Sequence, residues 1–229
     1  MPKFTQHWAS DYDQRIVRLI PGYEALHEIA SCVLAAELRE TAGPIDVPVD
    51  ILVAGAGTGR EIDDLAARDP SWRFTAVDPS QPMLDNARVR AGHGNYLDRV
   101  SFQTVDVQNY RAAVLHAAAT AVLVAHFLAD DAGRLAFLRT LAAALRPGAP
   151  LVMVDYAGDT QAFHAAYRQW ARAQGQDEEA IKVMFQRLAA NFHPVDETHC
   201  ARLLAESGFG PPWRFFQALG YTGYVTRRR

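Results

Sequence analysis

Apolar residues along the chain group into short continuous runs that alternate with stretches of helical periodicity. After residue 48, strand-like runs are predicted near 49–54, 72–77, 99–105, 121–126 and 150–155. Helical spacing falls between or after these runs, near 60–69, 80–91 and 131–145. Such alternation is typical of βαβ units. We therefore predict an α/β fold, a Rossmann-like, doubly wound, mostly parallel seven-stranded sheet.

The segments that flank this core predict further helices and a closing hairpin. A long amphipathic helix is predicted over Tyr23 to Glu40, and two helices near 160–174 and 177–190 follow the fifth strand. A helix at 196–207 then precedes an aromatic-rich hairpin. We expect one domain with four parts: an N-terminal helical cover (1–48), a Rossmann-like core (49–156), a helical lid (157–194), and a C-terminal helix and hairpin (195–229).

Composition and charge narrow the possible partners. The formal net charge of the 229 residues is −3, so no basic field favours nucleic acid. The two cysteines, Cys32 and Cys200, match no metal spacing and indicate reduced thiols. The most apolar region, 112–129, is interrupted by polar residues, and no apolar stretch occurs in residues 1–13. We expect a cytoplasmic monomer or homodimer without a signal peptide, which acts on a small molecule and does not bind metal, membrane or nucleic acid.

A glycine-rich turn follows the first strand of the core. The run Ile51-Leu52-Val53-Ala54 leads directly into Gly55-Ala56-Gly57-Thr58-Gly59 and then into a helix. Glycine allows both the tight turn and the close approach of a ligand, whose polar groups then meet the amides of the helix N-terminus. Asp78 ends the next strand, where a carboxylate can accept the two ribose hydroxyls. Asp106 ends the third strand, where it can accept from an adenine amino group. These features together predict an adenosine ligand.

Four motifs, in this order and spacing, resemble class I methyltransferases that depend on S-adenosylmethionine (SAM). They are Gly55-Ala56-Gly57-Thr58-Gly59, Val77-Asp78-Pro79-Ser80, Val105-Asp106-Val107 and Leu145-Arg146-Pro147-Gly148. The resemblance covers about residues 49–156 and implies SAM as the cofactor, with its methionine part on the loop, its ribose at Asp78 and its adenine beside Asp106. The family often has an acid two residues before the first glycine, whereas this chain has Val53. Another group must therefore hold the methionine end.

The end regions are similar to the carboxy-SAM synthase branch of this superfamily. The similar motifs are Pro21-Gly22-Tyr23, Glu197-Thr198-His199 and Phe215-Phe216-Gln217. In that branch the tyrosine contacts the SAM carboxylate, which implies the same role for Tyr23. The branch also has a lid arginine that holds the extra carboxylate of its product. That place falls on Met184, with Arg187 one turn away, so carboxy-SAM synthesis is not the expected reaction.

The resemblance and the motifs together assign the residues of the cofactor site. We predict that the cofactor-binding residues are Tyr23, Gly55, Ala56, Gly57, Asp78, Pro79, Met83, Asp106, Val107 and Ala125.

The catalytic residues are expected beyond the carboxyl ends of the fourth and fifth strands, because open α/β sheets bind their ligands there. His126 is the predicted general base, since its unperturbed pKa lies near neutrality. Tyr156 is predicted beside it. A hydrogen-bonded core histidine is the alternative for His126. Substrate contacts are predicted from the cover and the lid, although simple packing would explain the same residues: Trp8, Tyr12, Tyr167 and Met184.

Several functions fit these motifs. The first is methyl transfer from SAM to oxygen, nitrogen or sulfur of a small metabolite. The second uses SAM without methyl transfer, either in carboxy-SAM-like chemistry or by attack within the aminobutyrate chain that releases methylthioadenosine. A non-catalytic nucleotide sensor and an NAD-linked dehydrogenase are the remaining alternatives.

Overall fold

Seven strands form one sheet in the computed structural model, which describes residues 12–41, 49–157 and 160–229. The strands are β1 (Asp50–Ala54), β2 (Arg73–Asp78), β3 (Val100–Thr104), β4 (Ala118–Val122), β5 (Pro150–Tyr156), β6 (Trp213–Ala218) and β7 (Tyr221–Arg227). Their order is β3-β2-β1-β4-β5-β7-β6. β1 to β5 are mutually parallel, and β7 is antiparallel to both β5 and β6. The predicted α/β fold with a mostly parallel seven-stranded sheet is confirmed.

Eight α-helices accompany this sheet within the described residues. They are α1 (Tyr12–Ile16), α2 (Tyr23–Thr41), α3 (Arg60–Arg68), α4 (Gln81–His93), α5 (Asp131–Ala144), α6 (His164–Ala173), α7 (Glu178–Asn191) and α8 (Glu197–Glu206). Short 3₁₀ turns occupy Leu97–Arg99, Val107–Asn109, Ala125–Phe127 and Thr160–Phe163. None of the described helices is long and apolar enough to cross a bilayer.

Helices cover both faces of the sheet because its central strands are apolar on both sides. Ile51 and Leu52 are adjacent in β1 and point to opposite faces, yet both are completely buried. Ile51 packs in a cluster with α2, α3 and α4. Leu52 packs in a second cluster with α5 and α8. Burial on both faces is the property that distinguishes parallel sheets from half-exposed antiparallel ones.

The strand order reverses between β1 and β4, and this reversal locates the site. From β1 the chain proceeds to β2 and β3 on one side, whereas β4 and β5 lie on the other. The connections that leave the carboxyl ends of β1 and β4 therefore diverge and open a crevice between them. The glycine turn follows β1, and Leu123 follows β4 directly at this crevice.

The lid helices pack onto the carboxyl ends of the strands together with the N-terminal segment. Tyr167 of α6, Met184 of α7 and Tyr221 of β7 share one buried cluster with Ile20 and Tyr23. Tyr167 also donates a hydrogen bond to the main-chain oxygen of Leu19. The cover and the lid thus form one cap over the crevice.

The predicted bounds of the fourth strand were wrong. The strand was expected at 121–126, whereas β4 occupies Ala118–Val122. Ala118 and Ala119 have low intrinsic strand propensity, but they are fully buried between β1 and β5, and this tertiary context determines their structure. The strand ends where Leu123 takes a φ of +61°, so His126 lies in the 3₁₀ turn that follows.

Candidate functional site

The glycine turn after β1 leaves its backbone open toward the crevice. Gly57 has a φ of +51°, and a Cβ placed there would meet no atom nearer than the Gly55 oxygen at 4.0 Å. The space beside Gly57 is therefore available to a ligand. Gly55 is required for a different reason, since a Cβ on it would lie 2.4 Å from Cγ2 of Val124. The turn is anchored by the amides of Gly55 and Ala56, which both donate to the main-chain oxygen of Val77.

Asp78 connects this turn to the end of β2. Its Oδ2 accepts the amide of Gly57 at 3.0 Å, and its Oδ1 accepts the amide of Ser80 at 2.8 Å. Each carboxylate oxygen retains a further lone pair for an external donor. Burial raises the pKa of the Asp78 carboxyl, although the two amide donors act in the opposite direction. The carboxylate thus both positions the turn and lines the space beside it.

We call this space the loop cavity, and its volume is about 390 Å³. Its lining residues are Tyr12, Gly55, Gly57, Asp78, Pro79, Ser80, Gln81, Pro82, Met83, Asp106, Val107, Val122, Leu123, Val124 and Phe127. Seven of the residues predicted to bind the cofactor are among them: Gly55, Gly57, Asp78, Pro79, Met83, Asp106 and Val107. The structure therefore brings the glycine turn, Asp78 and Asp106 together around one cavity.

The other three predicted cofactor residues lie near this cavity without lining it. Ala56 is buried in the turn itself. Ala125 begins the 3₁₀ turn and lines a smaller cavity behind it. Tyr23 is buried at the start of α2, and its ring contacts His27 with a centroid distance of 4.6 Å. The implied contact of Tyr23 with the cofactor carboxylate stays a prediction.

A second and larger cavity lies between the cover and the lid, and we call it the lid cavity. Its volume is about 600 Å³. Its lining residues are Tyr12, Arg15, Ile16, Arg18, Leu19, Ile20, Leu123, His126, Phe127, Tyr167, Gln176, Ala180, Val183, Met184, Arg187, Leu188, Asn191, Phe192 and Tyr221. Three of the four residues predicted to contact substrate line it, namely Tyr12, Tyr167 and Met184. Trp8 lies outside the described residues.

Three residues line both cavities and form their common wall: Tyr12, Leu123 and Phe127. Leu123 holds its positive φ at this wall, a backbone conformation that is rare for a bulky residue and is found most often at functional sites. Because the two cavities meet at only a few side chains, a group bound in one lies beside a group bound in the other.

His126 lines the lid cavity at this wall and is paired with Asp155. Its Nδ1 lies 2.8 Å from Oδ1 of Asp155, and its amide donates to the same oxygen at 3.1 Å. A carboxylate partner requires the proton on Nδ1, which leaves Nε2 with its lone pair. The ring packs against Phe127 and Phe192, with centroid distances of 4.3 and 4.1 Å. The sequence placed Asp155 near this position but gave no signal that it pairs with His126.

A small cavity of about 40 Å³ lies behind this pair. Arg134 lines it, is buried, and donates to the main-chain oxygen of His193 at the end of the lid. Burial lowers the pKa of Arg134, and Asp155 is one of the carboxylates that oppose this shift. Burial also raises the pKa of the Cys200 thiol to about 12, which disfavours the reactive thiolate form. Tyr156, the second predicted catalytic residue, lines this small cavity and not the lid cavity.

The N-terminal helix α1 is tied to the glycine turn by charged and polar groups. Asp13 accepts the Thr58 hydroxyl at 2.7 Å and also forms an ion pair with Arg90. Arg90 in turn donates to the main-chain oxygen of Thr58 at 2.9 Å and pairs with Asp63 at 2.6 Å. These contacts hold the adjacent Tyr12 at its position in the common wall. Sequence periodicity alone could not show them, because the residues are far apart in the chain.

Glu61 is a buried carboxyl in α3, directly after the glycine turn. It accepts the Thr120 hydroxyl at 2.6 Å, and Thr120 is the register partner of Val53 across β1 and β4. Burial raises the pKa of Glu61 to about 8. Burial raises the pKa of Tyr12 too, and the charges of Asp13, Asp78 and Glu61 contribute to this shift.

Comparisons with known proteins agree with this architecture. Residues 51–148 match the family model for a methyltransferase domain. The chain is 22% identical to a carboxy-S-adenosyl-L-methionine synthase of Desulfotalea psychrophila, over 97% of this chain and 90% of the relative. The solved structure of DhpI with SAH superposes with a TM-score of 0.66 and 17% identity, covering 97% of this chain and 92% of that one. An O-methyltransferase structure from Nostoc punctiforme superposes with a TM-score of 0.67 and 13% identity, and this chain spans 60% of its length.

The fold, the glycine turn and these matches point to one class of protein. Residues 51–148 match a methyltransferase domain, and the comparisons support the class I superfamily of SAM-dependent methyltransferases, with SAM as the cofactor. The described residues fit SAM: a backbone open beside Gly57, a buried acceptor at Asp78 and a second acid at Asp106, all around one cavity.

Proposed function

We propose that this protein transfers the methyl group of SAM to a small molecule bound in the lid cavity. When bound, SAM supplies a methyl carbon that a nucleophile attacks, and the sulfur of the sulfonium group is the leaving atom. The Asp78 carboxylate holds the ribose, Asp106 faces the adenine, and the glycine turn supports the methionine part. The common wall of Tyr12, Leu123 and Phe127 aligns the acceptor with the methyl group, which is the main contribution of a protein to such a displacement.

The pairing of His126 with Asp155 carries this proposal. A hydroxyl acceptor loses its proton as the oxygen is methylated, whereas an ammonium acceptor must lose a proton before its nitrogen can attack. Nε2 of His126 accepts that proton. Asp155 fixes the tautomer through Nδ1 at 2.8 Å and stabilises the imidazolium that results. A positioned base of this kind typically contributes about 10²–10⁴-fold to the rate.

The test is to incubate the pure protein with SAM and a panel of small hydroxyl, amine and thiol compounds. S-adenosylhomocysteine that forms only in the presence of an acceptor supports the proposal. A protein that binds SAM but never releases this product with any acceptor would contradict it.

A second function is favoured by the 22% identity to the carboxy-S-adenosyl-L-methionine synthase, because that similarity extends over 97% of this chain. In this alternative SAM is itself the substrate and is modified or cleaved. Mass spectrometry of SAM incubated with the protein alone separates the two functions. Methylthioadenosine or an altered SAM without an acceptor would favour the alternative.

We further propose that the protein acts in the cytoplasm as a single domain. The described part of the chain contains no helix that could span a bilayer, which is consistent with this location.

A further inference from the structure

Three arginines and the proposed base His126 line the same lid cavity. Arg15 and Arg18 line it from the N-terminal segment, and Arg187 lines it from α7. Arg18 and Arg187 are exposed and therefore lie at the mouth of the cavity. His126 and Leu123 belong to the sheet edge that forms the floor. Arg18 and Arg187 are thus exposed at this cavity, whereas the proposed base His126 is buried.

Within the described residues, no aspartate or glutamate lines this cavity. The nearest acids in sequence begin α7, and they form ion pairs directed elsewhere. Glu178 pairs with Arg172 at 2.6 Å, and Glu179 pairs with Lys182 at 3.4 Å. Among the described lining residues, three are arginines and none is an acid, although the whole chain has a formal net charge of −3.

The rest of the lining is apolar and aromatic. Ile16, Leu188 and Phe192 contribute aliphatic and aromatic surface between the mouth and the floor. A cavity of about 600 Å³ falls within the range of about 300–1,000 Å³ that binds whole small molecules with one or more rings. Guanidinium groups at the mouth of an apolar cavity recognise carboxylates, often through two parallel hydrogen bonds.

We propose that the acceptor is an organic acid with an apolar, ring-bearing body, a nucleophilic hydroxyl or amine at one end and a carboxylate at the other. The nucleophile lies at His126 and the carboxylate lies among Arg15, Arg18 and Arg187. This inference rests on the proposed methyl transfer, since it assigns the lid cavity to the acceptor.

The experiment uses calorimetry on the protein saturated with S-adenosylhomocysteine. The probes are 4-hydroxybenzoate, 4-hydroxyphenylacetate and 3-(4-hydroxyphenyl)propanoate, each compared with its neutral amide. We expect at least one acid to bind about tenfold or more tightly than its amide, as a charge-assisted contact provides. The preference is expected to decrease in about 0.5 M sodium chloride, because salt screens the exposed arginines.

Matched variants locate this preference. Arg18→Gln and Arg187→Gln, singly and together with Arg15→Gln, are expected to remove the preference for acid over amide. Arg172→Gln is the control, because Arg172 belongs to the lid but pairs with Glu178 outside the cavity. Equal binding of acids and amides, no binding by any acid, or an equal loss in the control would overturn the inference. Failure of S-adenosylhomocysteine itself to bind would instead overturn the proposed function.

A second inference concerns the ammonium group of the cofactor and rests on a separate contact. Val53 occupies the position where related proteins often have an acid, and its register partner Thr120 donates to Glu61. Parallel register partners project to the same face, so the Glu61 carboxyl lies where a longer acidic side chain at position 53 would reach. We infer that Glu61, from α3, supplies the negative charge that holds the SAM ammonium group.

The surroundings of Glu61 agree with this role. Tyr12 lines the loop cavity, and the charges of both Asp78 and Glu61 contribute to its raised pKa. The charge of Glu61 also raises the pKa of Tyr23, and the charge of Asp64 raises the pKa of Glu61 itself. Asp78 and Glu61 therefore both lie near the Tyr12 phenol.

The test compares S-adenosylhomocysteine, which has the ammonium group, with 5′-methylthioadenosine, which lacks the amino acid end. Glu61→Gln is expected to weaken binding of the first by about tenfold or more and to leave the second within about twofold. Adding Val53→Asp to this variant is expected to restore part of the loss. Equal weakening of both ligands, or no weakening of either, would overturn the inference.

Proton release provides an independent measurement on the unaltered protein. Because burial raises the pKa of Glu61 to about 8, this carboxyl is largely protonated at pH 7 and must ionise to pair with an ammonium group. Binding of S-adenosylhomocysteine is then expected to release about one proton, measured by calorimetry in buffers of different ionisation enthalpy. Binding without proton release would contradict the role of Glu61.

Discussion

Nδ1 of His126 lies 2.8 Å from Oδ1 of Asp155, and the same oxygen accepts the His126 amide at 3.1 Å. One carboxylate oxygen thus fixes both the main chain and the ring of this histidine. The ring cannot turn without breaking the contact to Asp155 and its packing against Phe127 and Phe192. Position and tautomer are therefore set before any acceptor binds.

The first prediction concerns the tautomer of His126. Nitrogen NMR of the labelled protein should show the neutral ring with its proton on Nδ1, and Asp155→Ala should remove this preference, because no carboxylate then accepts that proton. Turnover with an acceptor is expected to decrease by about 100-fold in Asp155→Ala and in His126→Ala. Affinity for S-adenosylhomocysteine should not change. A wild-type ring protonated on Nε2 would contradict the proposed base.

The second prediction concerns Asp78. In Asp78→Asn the amide has one acceptor oxygen, whereas two backbone amides and the ribose require acceptors. Binding of S-adenosylhomocysteine is expected to weaken by about 1–3 kcal/mol, measured by calorimetry. Asp98→Asn is the control, since Asp98 is exposed in the 3₁₀ turn before β3 and does not line the loop cavity. Unchanged affinity in Asp78→Asn would mean that the ribose lies elsewhere.

The third prediction concerns the contact between the cover and the glycine turn. Asp13→Ala removes the acceptor of Thr58 and the ion pair with Arg90, and thereby frees α1 and Tyr12 from the turn. We expect faster dissociation of S-adenosylhomocysteine, by about tenfold, in stopped-flow measurements, because the common wall opens more often. Glu24→Ala, which removes an exposed pair with Arg60, is the matched control. Equal dissociation rates in both variants would show that α1 does not retain the ligand.

The fourth prediction concerns stability in acid. His27 is buried, neither ring nitrogen has a hydrogen-bond partner, and burial lowers its pKa to about 3 from an ordinary value near 6.5. The unfolded chain therefore binds more protons below pH 6.5, and this group lowers the stability as the pH decreases from 6.5 toward 3. Between pH 7.5 and 5.5 its contribution to the free energy of unfolding falls by about 1.4 kcal/mol.

Urea unfolding of wild type and His27→Leu at both pH values measures this contribution. The variant is expected to lose about 1.4 kcal/mol less than wild type on acidification. It should also be at least as stable at pH 7.5, because leucine needs no hydrogen-bond partner. Equal losses in the two proteins would mean that His27 is protonated in the folded state.

The sequence by itself determined the class of fold and the cofactor end of the site. The signals are local: short apolar runs, glycines at turns that need a positive φ, and acids at strand ends. Parallel strands bring their carboxyl ends to one edge of the sheet, whatever the packing of the helices. Gly57, Asp78 and Asp106 were therefore predicted to lie together, and they line one cavity. The bounds of β4 were not predicted correctly, because alanines form a strand there only through burial between two neighbours.

Only the tertiary structure decided the acceptor side. Three contacts join residues that are distant along the chain: His126 with Asp155, Asp13 with Thr58 and Arg90, and Glu61 with Thr120. Such contacts depend on how helices pack onto the sheet, and periodicity carries no information about them. The cationic mouth of the lid cavity has the same origin, since its arginines come from two segments that meet only in the folded protein.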